Sequence, residues 1–227
     1  MGQLDRTKAF WGHLLNSDHE GVDLMVIDNA PHTGEGQLAF FSRFIEPYWR
    51  GSFQYRTAGD NMGLINSMQY AYKESDHDII IYMHNDLFLY DRDWVGRIKY
   101  VFENQKSCGL VGVFGAKGCS NDGGRFECYS NMLEAEIHSY RMLITQCEEV
   151  TVLDGMLMAA SRVMLDAGDG IDTDYTIHHF YDKDLSLESI KRGFNNYVVG
   201  IPVHHESGIT ANAELFNKWA DKHFGDD

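Results

Sequence analysis

The chain is poor in positive charge. Its 227 residues carry 19 Lys and Arg against 34 Asp and Glu, a formal net charge of −15 at pH 7. Phosphate contacts to nucleic acid are made chiefly by Lys and Arg, so a nucleic-acid partner is not expected. A small anionic ligand stays open, because a bound cation can neutralise phosphate locally. Cysteine is scarce too: Cys108, Cys119, Cys128 and Cys147 form no C-x-x-C pair and no zinc-like spacing. Free thiols in a reducing compartment are the expectation. No apolar run approaches the roughly 20 residues of a membrane span, and no signal-peptide core opens the chain. A cytoplasmic protein with no membrane span is expected. The stretch 112–124 is glycine-rich but lacks both the G-x-x-x-x-G-K-[ST] and the strand-bound G-x-G-x-x-G arrangements, so it reads as a flexible loop. Repeats, low-complexity tracts and linkers are missing as well, and a single domain over residues 1–227 is the simplest organisation.

What is present fits a globular α/β protein: 44% of residues are apolar and 13% aromatic, enough for a substantial core. Apolar periodicity predicts helices near 6–16, 38–45, 64–73 and 93–104, and a further one at 132–144. Apolar segments predict strands at 22–27, 79–83 and 110–114, and at 150–159 with Asp154-Gly155 interrupting it, and Phe53-Gln-Tyr-Arg-Thr57 reads as a short strand. A helix over 185–192 takes Asp184 as N-cap and Gly193 as the residue that ends it. A last strand, 196–203, delivers His204 and His205, and an amphipathic helix with Leu215, Phe216, Trp219 and Phe224 closes the chain. This alternation predicts a Rossmann-like mixed, mostly parallel sheet flanked by helices.

The densest chemistry lies in residues 78–89, Asp-Ile-Ile-Ile-Tyr-Met-His-Asn-Asp-Leu-Phe-Leu. Its apolar start shows no polar alternation and reads as a strand buried on both faces. In an open α/β sheet the carboxyl ends of central strands face the ligand crevice. His84 and Asp86 there offer nitrogen and oxygen ligands to a divalent cation; a plain Asn-Asp turn fits the same residues. Asp28, at the end of another strand, reads either as an Asx turn or as an acceptor for a ribose or base. Asp154 inside an apolar segment is costly unless paired or functional. Asp182, just before a helix, lies where the helix dipole favours an ionised carboxylate, and a capping role fits it equally.

Taken in order, these segments resemble the family-two glycosyltransferases of the type-A nucleotide-sugar fold. Val26-Ile-Asp-Asn29 is similar to that family's V-V-D-N segment, and Gly59-Asp-Asn-Met-Gly63 to its G-N-x-G loop. His84-Asn-Asp86 stands where the family has D-x-D, and the stretch from Leu153 to Arg162 resembles its D-G-x-x-x-x-x-x-R. Phe180-Tyr-Asp-Lys-Asp-Leu185 is similar to F-x-E-D-x-D-L, and Val203-His-His to the late V-x-H. The resemblance implies a metal-dependent, inverting transfer of a sugar from a nucleoside diphosphate sugar to an acceptor hydroxyl. The acceptor class, whether glycan, protein or small molecule, stays open.

By the same resemblance Asp182 would be the catalytic base, and Asp28, Asn61, Asn85 and Asp86 would bind the donor. Asp154, Gly155 and Tyr181 would lie on the acceptor side. Asp86, His84 and His205 would hold Mn²⁺ or Mg²⁺, with His205 preferred to His204. His178 and His179 fit either metal or acceptor contacts. The sequence departs from the family at His84, in place of an aspartate, and at Tyr181, in place of a glutamate. The family's first strand should precede the helix near Arg6, and its segment is missing. A partner chain, or a homo-oligomer, is one way to supply it. The alternative is a protein of the same fold that binds or scaffolds without turnover.

Overall fold

A computed structural model describes residues 3–29, 34–57, 61–120, 124–133, 141–174 and 180–206. The expected closing helix, His178, His179 and the loop residues Gly59 and Asp60 lie outside them. The described elements are, in order, α1 (Gln3–Leu15), β1 (Leu24–Asp28), α2 (Gly34–Phe44), β2 (Phe53–Thr57), α3 (Leu64–Glu74), β3 (Ile79–Met83), β4 (Leu87–Leu89) and α4 (Trp94–Asn104). There follow β5 (Cys108–Gly112), β6 (Phe114–Cys119), β7 (Arg125–Met132), β8 (Arg141–Met142), β9 (Cys147–Val150), β10 (Val152–Leu153), β11 (Leu157–Ser161), α5 (Arg162–Asp166), α6 (Tyr181–Lys191), β12 (Asn195–Val199) and β13 (Pro202–His205).

The strands form a five-stranded sheet in the order β3-β11-β5-β12-β9, a second sheet in the order β10-β6-β7-β13-β4 with β8 beside β7, and the parallel pair β1-β2. Strand direction differs from the expectation of a mostly parallel sheet. Only β1-β2, β5-β12, β7-β13 and β7-β8 run parallel among the described pairings. The insertion of β11 antiparallel to both β3 and β5 is the main reason. Unbroken apolar runs report burial on both faces, and helices can cover a mixed sheet as completely as a parallel one. In β5 every residue is buried, with α4 contributing Trp94, Ile98 and Val101 to one core cluster and α6 contributing Tyr181 and Leu185 to the other; β3, expected to be buried on both faces, instead stands at the end of its sheet with only Ile80 buried. β1 pairs with β2 and β3 with β11, with no ladder joining β1 to β3 among the described residues.

Four further expectations are corrected. Within the glycine-rich stretch, 121–123 lie outside the described residues, and residues 114–119 form strand β6 rather than loop. Its glycines serve close approach: a Cβ on Gly115 would stand 2.7 Å from both Val152 O and Val198 Cγ2. Of the helix expected at 132–144, the described ends are strand, Met132 in β7 and 141–142 in β8, while 134–140 lie outside the described residues. Helix α6 begins at Tyr181, so Asp182 and Asp184 lie inside its first turn rather than before it. Gly193 ends it in the left-handed conformation, with φ of 86°, as the sequence suggests. The last strand is two strands in two sheets, divided at Gly200, where a Cβ would meet Ile144 O at 2.5 Å.

Candidate active site

β3 ends at Met83, and the ladder to β11 continues one step further through His84 N–H, which donates to Met156 O at 3.0 Å. The chain then turns through exposed Asn85 to Asp86 and enters β4. β13 runs antiparallel to β4 with His205 opposite Leu87, and Glu206 N–H donates to Asp86 O at 3.1 Å. Side chains alternate along a strand, so of the two adjacent histidines only His205 faces Asp86. His204 instead lies against the Phe88 ring, 5.9 Å between centroids.

Three ligand-type atoms converge here: His84 Nδ1 and His205 Nε2 are 3.4 Å apart, and Asp86 Oδ1 is 3.2 Å from the His205 nitrogen and 3.9 Å from the His84 one. Atoms sharing one divalent ion at about 2.1 Å stand about 3 Å from each other. Asp86 Oδ1 is buried, with the His205 and His84 imidazoles in ion-pair reach, an expensive arrangement for a carboxylate oxygen unless a positive charge meets it. Burial raises the Asp86 carboxyl, but the imidazoles of His205 and His84 pull it lower overall. Burial, and then His205, holds His84 below the usual histidine range, which favours the neutral form a ligand needs. The residues fit a divalent cation.

Beside this cluster lies a second one. Arg125, at the start of β7, donates through Nη1 to Asp154 Oδ2 at 2.9 Å and through Nη2 to Asp182 Oδ2 at 2.6 Å. The other oxygens are also engaged: Asp154 Oδ1 accepts from Met156 N at 3.1 Å, and Asp182 Oδ1 from Lys183 N at 2.9 Å. Helix α6 is fixed in place by Ser186, whose Oγ donates to Asp182 O at 2.6 Å and accepts from Leu153 N at 3.0 Å. Tyr181 links the clusters, its phenol oxygen 3.0 Å from His84 Nε2. Burial, then the charges of Asp182 and Asp154, drive the Tyr181 phenol far above its ordinary range, so it stays protonated.

Asp28 and Asn61 gather elsewhere, at the end of β1 and the start of α3. Tyr55 OH donates to Asp28 Oδ2 at 2.6 Å. Asn61 Oδ1 accepts from Gly63 N at 2.9 Å, the turn-forming contact of an Asx residue. The neighbouring Asn29 ties the two groups together by donating to Ser67 Oγ at 2.7 Å. Arg162, matched to the family motif by position, caps α3 instead, donating to the carbonyls of His77, Tyr72 and Ser75. Arg125 was not singled out from the sequence. The signal that could have found it is Asp154: a carboxylate in an apolar segment demands a cation.

The described residues thus combine a mixed α/β fold with two imidazoles and a carboxylate gathered at a strand's carboxyl end, next to a carboxylate-bearing helix start. The chain belongs to the glycosyltransferase-like family, which it matches over residues 57–222. No curated protein matches it. Solved structures share its fold. GalNAc-T7 with UDP, GalNAc and Mn²⁺ is 12% identical at a TM-score of 0.63, over 92% of this chain and 42% of that one. The mannosyltransferase PcManGT from Pyrobaculum calidifontis, in complex with GDP-Man and Mn²⁺, is 13% identical at 0.58, over 88% and 54%. S. aureus TarS 1–349 is 10% identical at 0.60, over 88% and 57%. The chain thus spans about half the length of these structures.

Proposed function

We propose that the chain is a metal-dependent inverting glycosyltransferase, moving a sugar from a nucleoside diphosphate sugar to an acceptor hydroxyl. The observation that carries this reading is the convergence of His84, Asp86 and His205 at the end of β3, in a chain of glycosyltransferase-like family. Two of the similar folds were solved with a nucleotide or nucleotide sugar and Mn²⁺. A divalent cation held by these three residues would supply Lewis-acid neutralisation of the leaving diphosphate. Mn²⁺ suits the two-nitrogen, one-oxygen donor set better than Mg²⁺, which favours oxygen.

Asp182 would serve as the base that takes the acceptor's proton. Its carboxylate is held by Arg125, so the acceptor hydroxyl must share or displace one of the contacts on that carboxylate. Asp154, held by the same guanidinium, and Gly155 and Tyr181 would form the wall on which the acceptor rests. Asp28, covered by Tyr55 and set beside the start of α3 where Asn61 lies, would meet the nucleoside.

The engagement of both Asp182 oxygens favours a second reading, a binding protein of this fold that does not turn over. Both readings are tested by calorimetric titration of a panel of nucleoside diphosphates, with and without Mn²⁺, against wild type and Asp86→Ala. Binding that requires both Mn²⁺ and Asp86 is expected, followed by transfer from the matching donor sugar. Donor binding without transfer or donor hydrolysis would favour the second reading. No nucleotide binding at all would overturn the first.

A further inference from the structure

We infer that Tyr181 is a positioning residue for the cation site, fixing the ring of His84 so that its Nδ1 faces Asp86 and His205. This inference rests on the metal reading above. An imidazole has one nitrogen to give to a cation, and the partner of its other nitrogen decides which one and in what orientation. Here the outer partner is the Tyr181 phenol, 3.0 Å from His84 Nε2, while Nδ1 is turned toward the His205 nitrogen at 3.4 Å and Asp86 Oδ1 at 3.9 Å. With Nδ1 committed to a cation, the ring proton resides on Nε2 and is donated to the phenol oxygen.

The phenol is itself held tightly. Tyr181 is the first residue of α6 and is buried in the core with Leu153 and Leu185. Its hydroxyl occupies the space that a side chain at position 155 would fill, since a Cβ built on Gly155 would lie 1.9 Å from the phenol oxygen. The residues on either side are clamped, because Asp154 and Asp182 are bridged by Arg125. The phenol therefore carries the position of α6 to the cation site. Cation binding and the placement of Asp182 become mechanically linked through one hydroxyl.

The test is a double-mutant cycle read as Mn²⁺ affinity by calorimetry, with the metal alone as titrant. Tyr181→Phe removes only the hydroxyl, so the fold should persist, as checked by thermal unfolding. Its Mn²⁺ affinity should fall by about 10–100-fold, the usual effect of losing such an outer partner. In a His84→Ala background the same change should have no further effect, because there is no ring left to orient. Gly155→Ala, which crowds the phenol, should mimic Tyr181→Phe. Equal Mn²⁺ affinity of wild type and Tyr181→Phe would overturn the inference while leaving the metal reading in place. So would losses that simply add between Tyr181→Phe and His84→Ala, since they would mark a general packing effect. A wild type that binds no Mn²⁺ would instead sink the metal reading and this inference with it.

Discussion

Arg125 holds two partly buried carboxylates with one guanidinium, and much of the local electrostatics follows from that. Burial by itself raises the Asp154 carboxyl, yet Arg125 and the Met156 amide bring it below its ordinary 3.8. A carboxyl depressed by folding stabilises the fold above its unfolded pKa, and the gain is lost as pH falls through the folded value. Wild type should therefore weaken only on strong acidification, below about pH 4. Arg125→Met strands both carboxylates, at a cost of about 3–5 kcal/mol near pH 7. In that variant the sign reverses for Asp154: without its cation, burial raises the carboxyl, so stability recovers as pH drops from 7 toward the unfolded value. Urea unfolding across this pH range separates the two cases. Parallel profiles for wild type and variant would show that Arg125 does not set the state of Asp154.

Elements differ in how openly the sequence announces them. β3 coincides with its apolar run and β2 with the stretch from Phe53 to Thr57, and α3 and α4 fall within a residue of their predicted bounds because each buries a regular face. Direction was not legible: nothing within residues 157–161 says that they run antiparallel to both neighbours, since that is decided by the whole connection. The glycines of β6 misled for a physical reason, as a residue chosen for closeness looks like one chosen for freedom. Gly115→Ala distinguishes the two. In a loop it would be neutral or mildly stabilising; in β6, with Val152 and Val198 2.7 Å from the new carbon, overpacking should cost about 1–3 kcal/mol. A denaturation midpoint equal to wild type would argue against the packed strand. The site shows the same division. His84 and Asp86 are two residues apart and readable as a motif. Arg125 meets its partners at separations of 29 and 57 residues, which only the fold can reveal.

At the scale of the molecule, a formal charge of −15 sets carboxylates against one another throughout the folded state, and compactness makes that repulsion worse. Salt screens it over a Debye length of about 10 Å at 0.1 M. Raising NaCl from a few millimolar to that level should lift the melting temperature, by about 2–4 °C for each kcal/mol of relieved repulsion. A flat or falling melting temperature would mean that favourable ion pairs, such as those of Arg125, dominate the balance. Within the second sheet β13 lies between β4 and β7, and this ladder has a genetic consequence. His204 is a second imidazole held one step out of phase, with Val203 fully buried beside it to lock the frame. His205→Ala should abolish Mn²⁺ binding, and His204 cannot replace it, because slipping the strand would expel Val203 into solvent. One residue inserted between Val203 and His204 in that mutant, however, would carry His204 into the vacated place without moving Val203. The lesion thus has a suppressor already written next to it, and recovered Mn²⁺ affinity in the insertion variant would reveal it.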